Sequence, residues 1–196
     1  ALAELHSGAA RGKSSALYVD VSHGIGAGLI LNGRVYRGHS RGAGELGHMT
    51  INENGPLCRC GNRGCLEAVA GGPAILESLR SLSGAIKLHD VVMRALNGDP
   101  HCVRAIGDAG RHIGVAVAGI CNLLDPEHIV IGGDLGRAGE ILLGPLRHSM
   151  EHASLWEPEE LPHVVQGQLG ERASLMGAIM YAVERISFRP DELARS

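Results

Sequence analysis

The chain has 196 residues, 44% of them hydrophobic and 20% charged, which fits one folded domain with a real core and excludes both a disordered tail and a fibre. Its formal net charge is −3 and its basic residues are scattered, so no phosphate-backbone footprint is legible, and no apolar run approaches the roughly 18 residues of a membrane span. Aromatic residues are scarce at 3% while glycine reaches 29 positions, so the core must come from Leu, Ile, Val and Ala in closely approaching layers, which suits an α/β domain.

The chain opens on Ala1, without a methionine, in what reads as a helix already under way (Ala-Leu-Ala-Glu-Leu-His) and ending near Gly12. A domain seldom starts inside a helix, so these residues are expected to be the C-terminal part of a longer polypeptide. Ala16 to Val21 is a short run of strand formers and Gly28 to Leu31 a second. Between them, Ser22-His23-Gly24-Ile25-Gly26-Ala27-Gly28 reads as a glycine-rich turn. Such a turn can bring backbone amides up to a phosphate because no Cβ obstructs the approach, and it serves equally as a tight hairpin with left-handed positions. Asn32-Gly33 is a hairpin signal, so a third strand is expected at Arg34 to Tyr36, completing a meander.

The segment from Gly44 to Glu67 carries little periodicity and concentrates the chemistry. Cys58, Cys60 and Cys65 are close neighbours and His48 precedes them, so three thiolates and one imidazole can converge on a single ion. Cys3His is one of the usual closed tetrahedral zinc inventories, and Gly61 and Gly64 supply the backbone freedom that turns Cys65 back toward the same point. Clustered cysteines in a secreted chain form disulfides instead, but the total of five is odd and no cysteine pairs are spread along the chain. Cys102 and Cys121 sit in apolar helical surroundings and read as core. Free thiols beside a structural zinc site point to a reducing cytoplasm.

From Cys65 a helix begins, with Leu66, Val69 and Ala70 on one side, until Gly71-Gly72-Pro73 breaks it. Further helices are expected from Pro73 to about Leu82 and from Leu88 to Leu96, then a turn at Asn97-Gly98-Asp99-Pro100. His101 to Leu124 reads as the longest helix, with Val103, Ile106, Ile113, Val117, Ile120 and Leu124 at helical spacing. After Asp125-Pro126-Glu127, the run His128-Ile129-Val130-Ile131 ending in Gly132-Gly133 reads as a buried parallel strand whose carboxyl end opens into a loop, where open α/β sheets bind ligands. Gly139 to Met150 is a helix, Pro162 to Val165 a strand, Glu171 to Glu184 a closing helix, and the tail from Phe188 is polar. This order gives a mixed sheet with helices on its faces, without internal repeat or linker.

Glu45-Leu46-Gly47-His48, followed by Cys58-Arg59-Cys60-Gly61-Asn62-Arg63-Gly64-Cys65-Leu66-Glu67, closely resembles the signature of the ROK family, which contains sugar-responsive bacterial repressors and sugar kinases. Gly24-Ile25-Gly26-Ala27-Gly28 looks like the family's phosphate turn, Ile131-Gly132-Gly133 like its nucleotide-side loop, and Leu169 to Gly177 like its closing helix. The resemblance implies an actin-like ATPase (ribonuclease H-like) fold, with residues 1–196 as a C-terminal sugar-binding domain and a zinc-binding insertion at about 44–67. It further implies that Glu45 and Glu67 accept hydrogen bonds from sugar hydroxyls, while His48 binds zinc through one ring nitrogen and faces the sugar with the other. The chemistry agrees, since carboxylates offer two acceptor oxygens each and a metal fixes the orientation of a histidine. Without the resemblance, Glu67 reads as a helix-start carboxylate favoured by the dipole, and Glu45 as a solvated loop residue.

Family kinases carry a catalytic Asp after an Asn, and an Asp-x-Gly-x-Thr phosphate loop. Neither occurs in these residues, and the Asn-Asp would fall immediately upstream of Ala1. His23 stands where the phosphate turn usually has Thr, and Gly133-Asp134 replaces a more glycine-rich continuation. The resemblance therefore reads first as the sugar-sensing effector domain of a cytoplasmic transcriptional repressor. Its DNA contact would lie in an N-terminal domain outside these residues, its effector would be a sugar or sugar phosphate, and its assembly a homodimer or homotetramer. The alternative is the C-terminal half of an ATP-dependent glucose or N-acetylglucosamine kinase, in which Gly24, Gly26, Gly132 and Gly133 would face the nucleotide. A third reading, a bare zinc-stabilised module, predicts no sugar binding.

Overall fold

In the computed structural model, residues 1–80 and 87–187 are described; the expected end of a helix at Leu82 and the tail from Phe188 lie outside them. Five strands, β1 (Ala16–Val21), β2 (Ile25–Leu31), β3 (Arg34–Tyr36), β4 (His128–Gly132) and β5 (His163–Gln166), form one mixed sheet in the order β3-β2-β1-β4-β5. The first three are the antiparallel meander expected from Asn32-Gly33. β4 then joins β1 in parallel, Ala16 beside His128 and Asp20 beside Gly132, and β5 joins β4 in parallel.

Side chains alternate across the strands, so each sheet face has its own cover. Leu17, Val19 and Val21 of β1, with Ile129 and Ile131 of β4, enter the main core. There they meet Ile106, Ile113 and Val117 of α5 (Pro100–Leu124) and Leu142 and Leu146 of α7 (Glu140–Ala153). Ala16, Tyr18, Ile30 and Val130 face the other way, onto a small cluster with Ala10 and with Leu5 of α1 (Leu2–Ser7). The remaining helices are α2 (Leu66–Ala70), α3 (Gly72–Ser78), α4 (Leu88–Leu96), α6 (Gly133–Gly136) and α8 (Arg172–Ser187). α8 packs principally on α1, with Gly177 facing Ala3.

The long helix is as expected, and its start has a clear cause. The Asp99 carboxylate accepts from the backbone N–H groups of His101 (2.9 Å) and Cys102 (3.3 Å), and Pro100 takes the first helical position, where its missing N–H costs nothing. α5 and α7 approach closely through Gly110 and Gly114, where a Cβ would fall on the carbonyls of Leu142 and Leu146. Cys102 and Cys121 are buried, as expected, and burial pushes the Cys121 thiol up to about 11.

The opening helix ends at Ser7 rather than near Gly12, α3 ends at Ser78 rather than at about Leu82, and two further expectations fail. The glycine-rich stretch is not a turn as a whole: β2 already begins at Ile25, paired with Val21, so that only Ser22, His23 and Gly24 turn the chain. Gly24, Gly26 and Gly28 have no left-handed φ. Two of these glycines are small for tertiary reasons: the Glu67 carboxylate fills the place of a Cβ at Gly24, and Ala1 fills it at Gly28. The second correction is at the end of β4, where the expected loop is the short helix α6, entered through Gly133 at φ +80 against the Val21 carbonyl.

Candidate metal centre and adjoining cavities

The segment between β3 and α2 is anchored on β2. Ala27 N–H donates to the Gly44 carbonyl (2.7 Å), and Gly44 (φ +105) and Gly47 lie so close to the carbonyls of Ala27 and Ile25 that a Cβ at either would collide. Buried Leu46 pins the following 3-10 turn, Leu46–His48, and so presents His48. The chain then runs out and returns. Thr50 bridges to Cys65 and Leu57 to Arg63, while the N–H groups of Ile51 and Asn52 both point at the Gly64 carbonyl (2.9 and 3.3 Å). Within the return, Cys58 N–H donates to the Asn62 carbonyl (2.7 Å) and Gly61 N–H to the Cys58 carbonyl (3.0 Å). Gly61 (φ +94) and Gly64 (φ +63) take the left-handed conformations that let so short a loop close.

This path brings four donors together. One ring nitrogen of His48 and the Sγ atoms of Cys58, Cys60 and Cys65 all lie within 4.8 Å of one another. His48 Nδ1 is 3.6 Å from Cys58 Sγ, and Cys60 Sγ is 3.6 Å from Cys65 Sγ. A tetrahedral ion with Zn–S bonds of about 2.3 Å would need S···S edges of about 3.7 Å, so the group can hold a metal ion, and three thiols with one imidazole suit zinc. Cys65 is fully buried, and burial, reinforced by the neighbouring thiols, pushes its own thiol up to about 12. Cys60 is exposed, and a backbone hydrogen bond at Asn62 holds its thiol below the ordinary range. Loading a metal would therefore displace a proton that the free site keeps on Cys65.

The candidate sugar acceptors fall in different surroundings. Glu67, in the first turn of α2, has a side chain only 11% exposed. Its Oε2 accepts from Ile25 N–H (2.9 Å) and from Arg59 Nη2 (3.3 Å), and its Oε1 forms an ion pair with Arg59 Nε (2.9 Å). It lines a cavity of about 410 Å³ together with His23, Leu57, Cys58, Arg59 and Glu77. Glu45 is exposed at the start of the 3-10 turn, and neither it nor His48 lines that cavity. Sequence reasoning did not single out Arg59, although it lies inside the motif, because only the folded loop brings it onto Glu67.

A second cavity, of about 220 Å³, lies at the carboxyl ends of β1 and β4, lined by Asp20, Ser22, Gly133, Asp134, Arg137 and Glu171 among others. Of the four glycines assigned to a nucleotide, only Gly133 is among its lining residues. Ser22 Oγ donates to Asp20 Oδ1 (2.8 Å) and accepts from Asp134 N–H (3.1 Å), while Tyr18 Oη donates to Asp20 Oδ2 (3.1 Å). Burial pushes the Tyr18 phenol up, with the Asp20 charge adding to it. Arg137 is paired with Glu171 (2.8 Å). Among the described residues, no helix is long and apolar enough to cross a membrane.

The ROK family profile matches residues 1–185. A glucokinase of Thermotoga maritima is 36% identical to this chain, over 94% of it and 63% of the relative. A xylose repressor of Bacillus subtilis is 32% identical, over 87% of this chain and 44% of its own length. The crystal structure of a ROK family transcriptional regulator, a homologue of the E. coli MLC protein, superimposes with a TM-score of 0.81 at 34% identity, covering 90% of this chain and 48% of that one. The chain thus spans between about half and two thirds of the length of these relatives.

Proposed function

Because this chain belongs to the ROK family and has its actin-like ATPase fold, we propose that residues 1–196 are the C-terminal sugar-sensing domain of a transcriptional regulator, with zinc holding the recognition surface in shape. The family's relatives here include both repressors and glucokinases, so membership alone does not decide between them. What favours the regulator is the cavity at the ends of β1 and β4. Phosphoryl transfer requires backbone amides and cations aimed at a triphosphate and its Mg²⁺. Here Asp134 N–H, at the start of α6, is already given to Ser22, and both Asp20 oxygens already accept from hydroxyls. Asp20, Asp134 and Glu171 face one guanidinium, which is itself paired, so a polyphosphate would enter against a surplus of carboxylates.

Zinc would be held by His48 Nδ1 and by Cys58, Cys60 and Cys65. Four protein ligands leave no open position, so the ion would be structural. It would fix the ring of His48, leaving the other nitrogen for a sugar hydroxyl beside Glu45 and Glu67. The thiolate ligands suit a reducing cytoplasm, DNA contact would belong to another part of the polypeptide, and the assembly would be a dimer or tetramer. The test uses the gene product that contains these residues. Release of a duplex from its own promoter region on addition of a sugar is the expected result. Conversion of ATP and D-glucose into ADP and a sugar phosphate would overturn the regulator reading in favour of the kinase.

A further inference from the structure

The Glu67 carboxylate is already occupied. A carboxylate offers about four lone-pair sites, and both of those on Oε2 are taken, by Ile25 N–H and Arg59 Nη2, while Arg59 Nε pairs in charge with Oε1. A ligand with two adjacent hydroxyls that engages both oxygens must therefore dislodge a donor. Ile25 N–H is fixed where β2 starts, opposite Val21, and cannot move without breaking the sheet edge. Arg59 can move: its side chain is 71% exposed, on a short loop, and holds Glu67 across the cavity that both line. Charge also limits what can enter. The cavity is lined by the carboxylates of Glu67 and Glu77, each paired with one guanidinium, Arg59 and Arg80, so neither guanidinium is left to receive a phosphate.

We propose that Arg59 is a specificity-determining latch on Glu67, displaced by the adjacent hydroxyls of a neutral sugar, and that the site selects neutral sugars over sugar phosphates. This rests on the reading of Glu67 as a sugar acceptor. In the unliganded state the guanidinium keeps the carboxylate paired; in the liganded state the hydroxyls take over that pairing and Arg59 returns to solvent. Affinity for the sugar is then the difference between two sets of hydrogen bonds to one carboxylate. Because the Arg59 contact is an exposed ion pair, salt weakens it, whereas hydroxyl contacts with a neutral sugar are nearly indifferent to salt.

Calorimetric titration of the gene product containing these residues tests this, using D-glucose, D-xylose, N-acetyl-D-glucosamine and glucose 6-phosphate as probes at low and high NaCl, with Arg59→Gln and Glu67→Gln alongside. Arg59→Gln should keep its metal content and bind the preferred neutral sugar about two- to five-fold more tightly, the range an exposed ion pair allows. The wild-type affinity for that sugar should rise with salt while that of Arg59→Gln stays flat, and glucose 6-phosphate should bind less tightly than glucose. Weaker neutral-sugar binding by Arg59→Gln would make Arg59 a positioning or contact residue and overturn the latch, as would a salt-independent wild type or preference for the phosphate. If Glu67→Gln bound every probe as tightly as the wild type, or the wild type bound none, the sugar-site reading itself would fail, whatever Arg59→Gln did.

Discussion

The Nδ1 of His48 lies 3.6 Å from the Sγ of Cys58, the same separation that divides the Sγ atoms of Cys60 and Cys65. Two edges of equal length, drawn between residues from separate parts of one loop, match a tetrahedron around a single ion. The purified protein should contain about one zinc per chain by mass spectrometry, and Cys60→Ser should reduce this to a trace. Cys60 is exposed, so the substitution opens no cavity and a loss of stability would report the metal alone. Chelation should lower the stability of the wild type by about 3–4 kcal/mol, the linkage expected when free metal exceeds its dissociation constant by 100- to 1,000-fold. Acidification should release the metal, because protons compete for the thiolates. Unchanged zinc in Cys60→Ser would refute the ligand set.

Gly64→Ala tests whether the loop is shaped by its backbone or by a bound ion. Gly64 has φ +63 and its missing Cβ lies on the Asn52 carbonyl, so an alanine meets both left-handed strain and a collision with main chain. The expected cost is at least about 2 kcal/mol, with weaker metal binding, since Cys65 follows directly. Chelator titration against the wild type measures it; equal affinity would show that the ion alone organises the loop.

Two glycines of α5 should respond in opposite directions. Alanine in a helix is favoured over glycine by about 1 kcal/mol. Gly119 faces open space, so Gly119→Ala should stabilise by up to about that amount. At Gly114 a Cβ would strike the Leu146 carbonyl and lie 2.9 Å from Ser149 Cβ, so the α5–α7 contact must open, and Gly114→Ala should destabilise by about 1–3 kcal/mol. Denaturant unfolding of the two variants decides, and stabilisation by both would mean that the two helices yield freely.

The parts legible in the sequence are those set by neighbours along the chain. Leu17, Val19 and Val21 alternate with Ala16 and Tyr18 because a strand has period two, and both faces were filled as that pattern requires. The convergence of His48, Cys58, Cys60 and Cys65 was legible because a short loop leaves their side chains few places to go. What failed depended on distant partners. Gly24 resembles a turn glycine, yet it is small because Glu67, far along the chain, needs the room. Ser22 joins Asp20 to Asp134 only because β1 and β4 are adjacent in the sheet, an adjacency that no local pattern encodes. The hold of Arg59 on Glu67 depends on the path of the metal loop, which the cysteine spacing permits but does not specify.

Glu4 is the extreme case of such dependence. In sequence it is a charged residue in the first turn of a helix, where exposure is the rule, yet it is only 1% exposed. Its Oε2 accepts from Ala9 N–H (2.7 Å) and its Oε1 from Leu169 N–H (3.0 Å), so one carboxylate ties the chain's first helix to the segment that leads into its last. Glu4→Ala leaves both part-buried donors without this partner and should cost about 2–4 kcal/mol. Glu4→Gln keeps one acceptor oxygen but turns an NH2 group toward the other donor, and should cost about 1–3 kcal/mol. Since Leu169 leads into α8, which packs principally on α1, amide exchange should accelerate first in α8 and leave α5 protected. Hydrogen exchange on the two variants reads this directly: equal acceleration in α5 and α8 would mean that Glu4 supports the whole fold rather than the joint between α1 and α8.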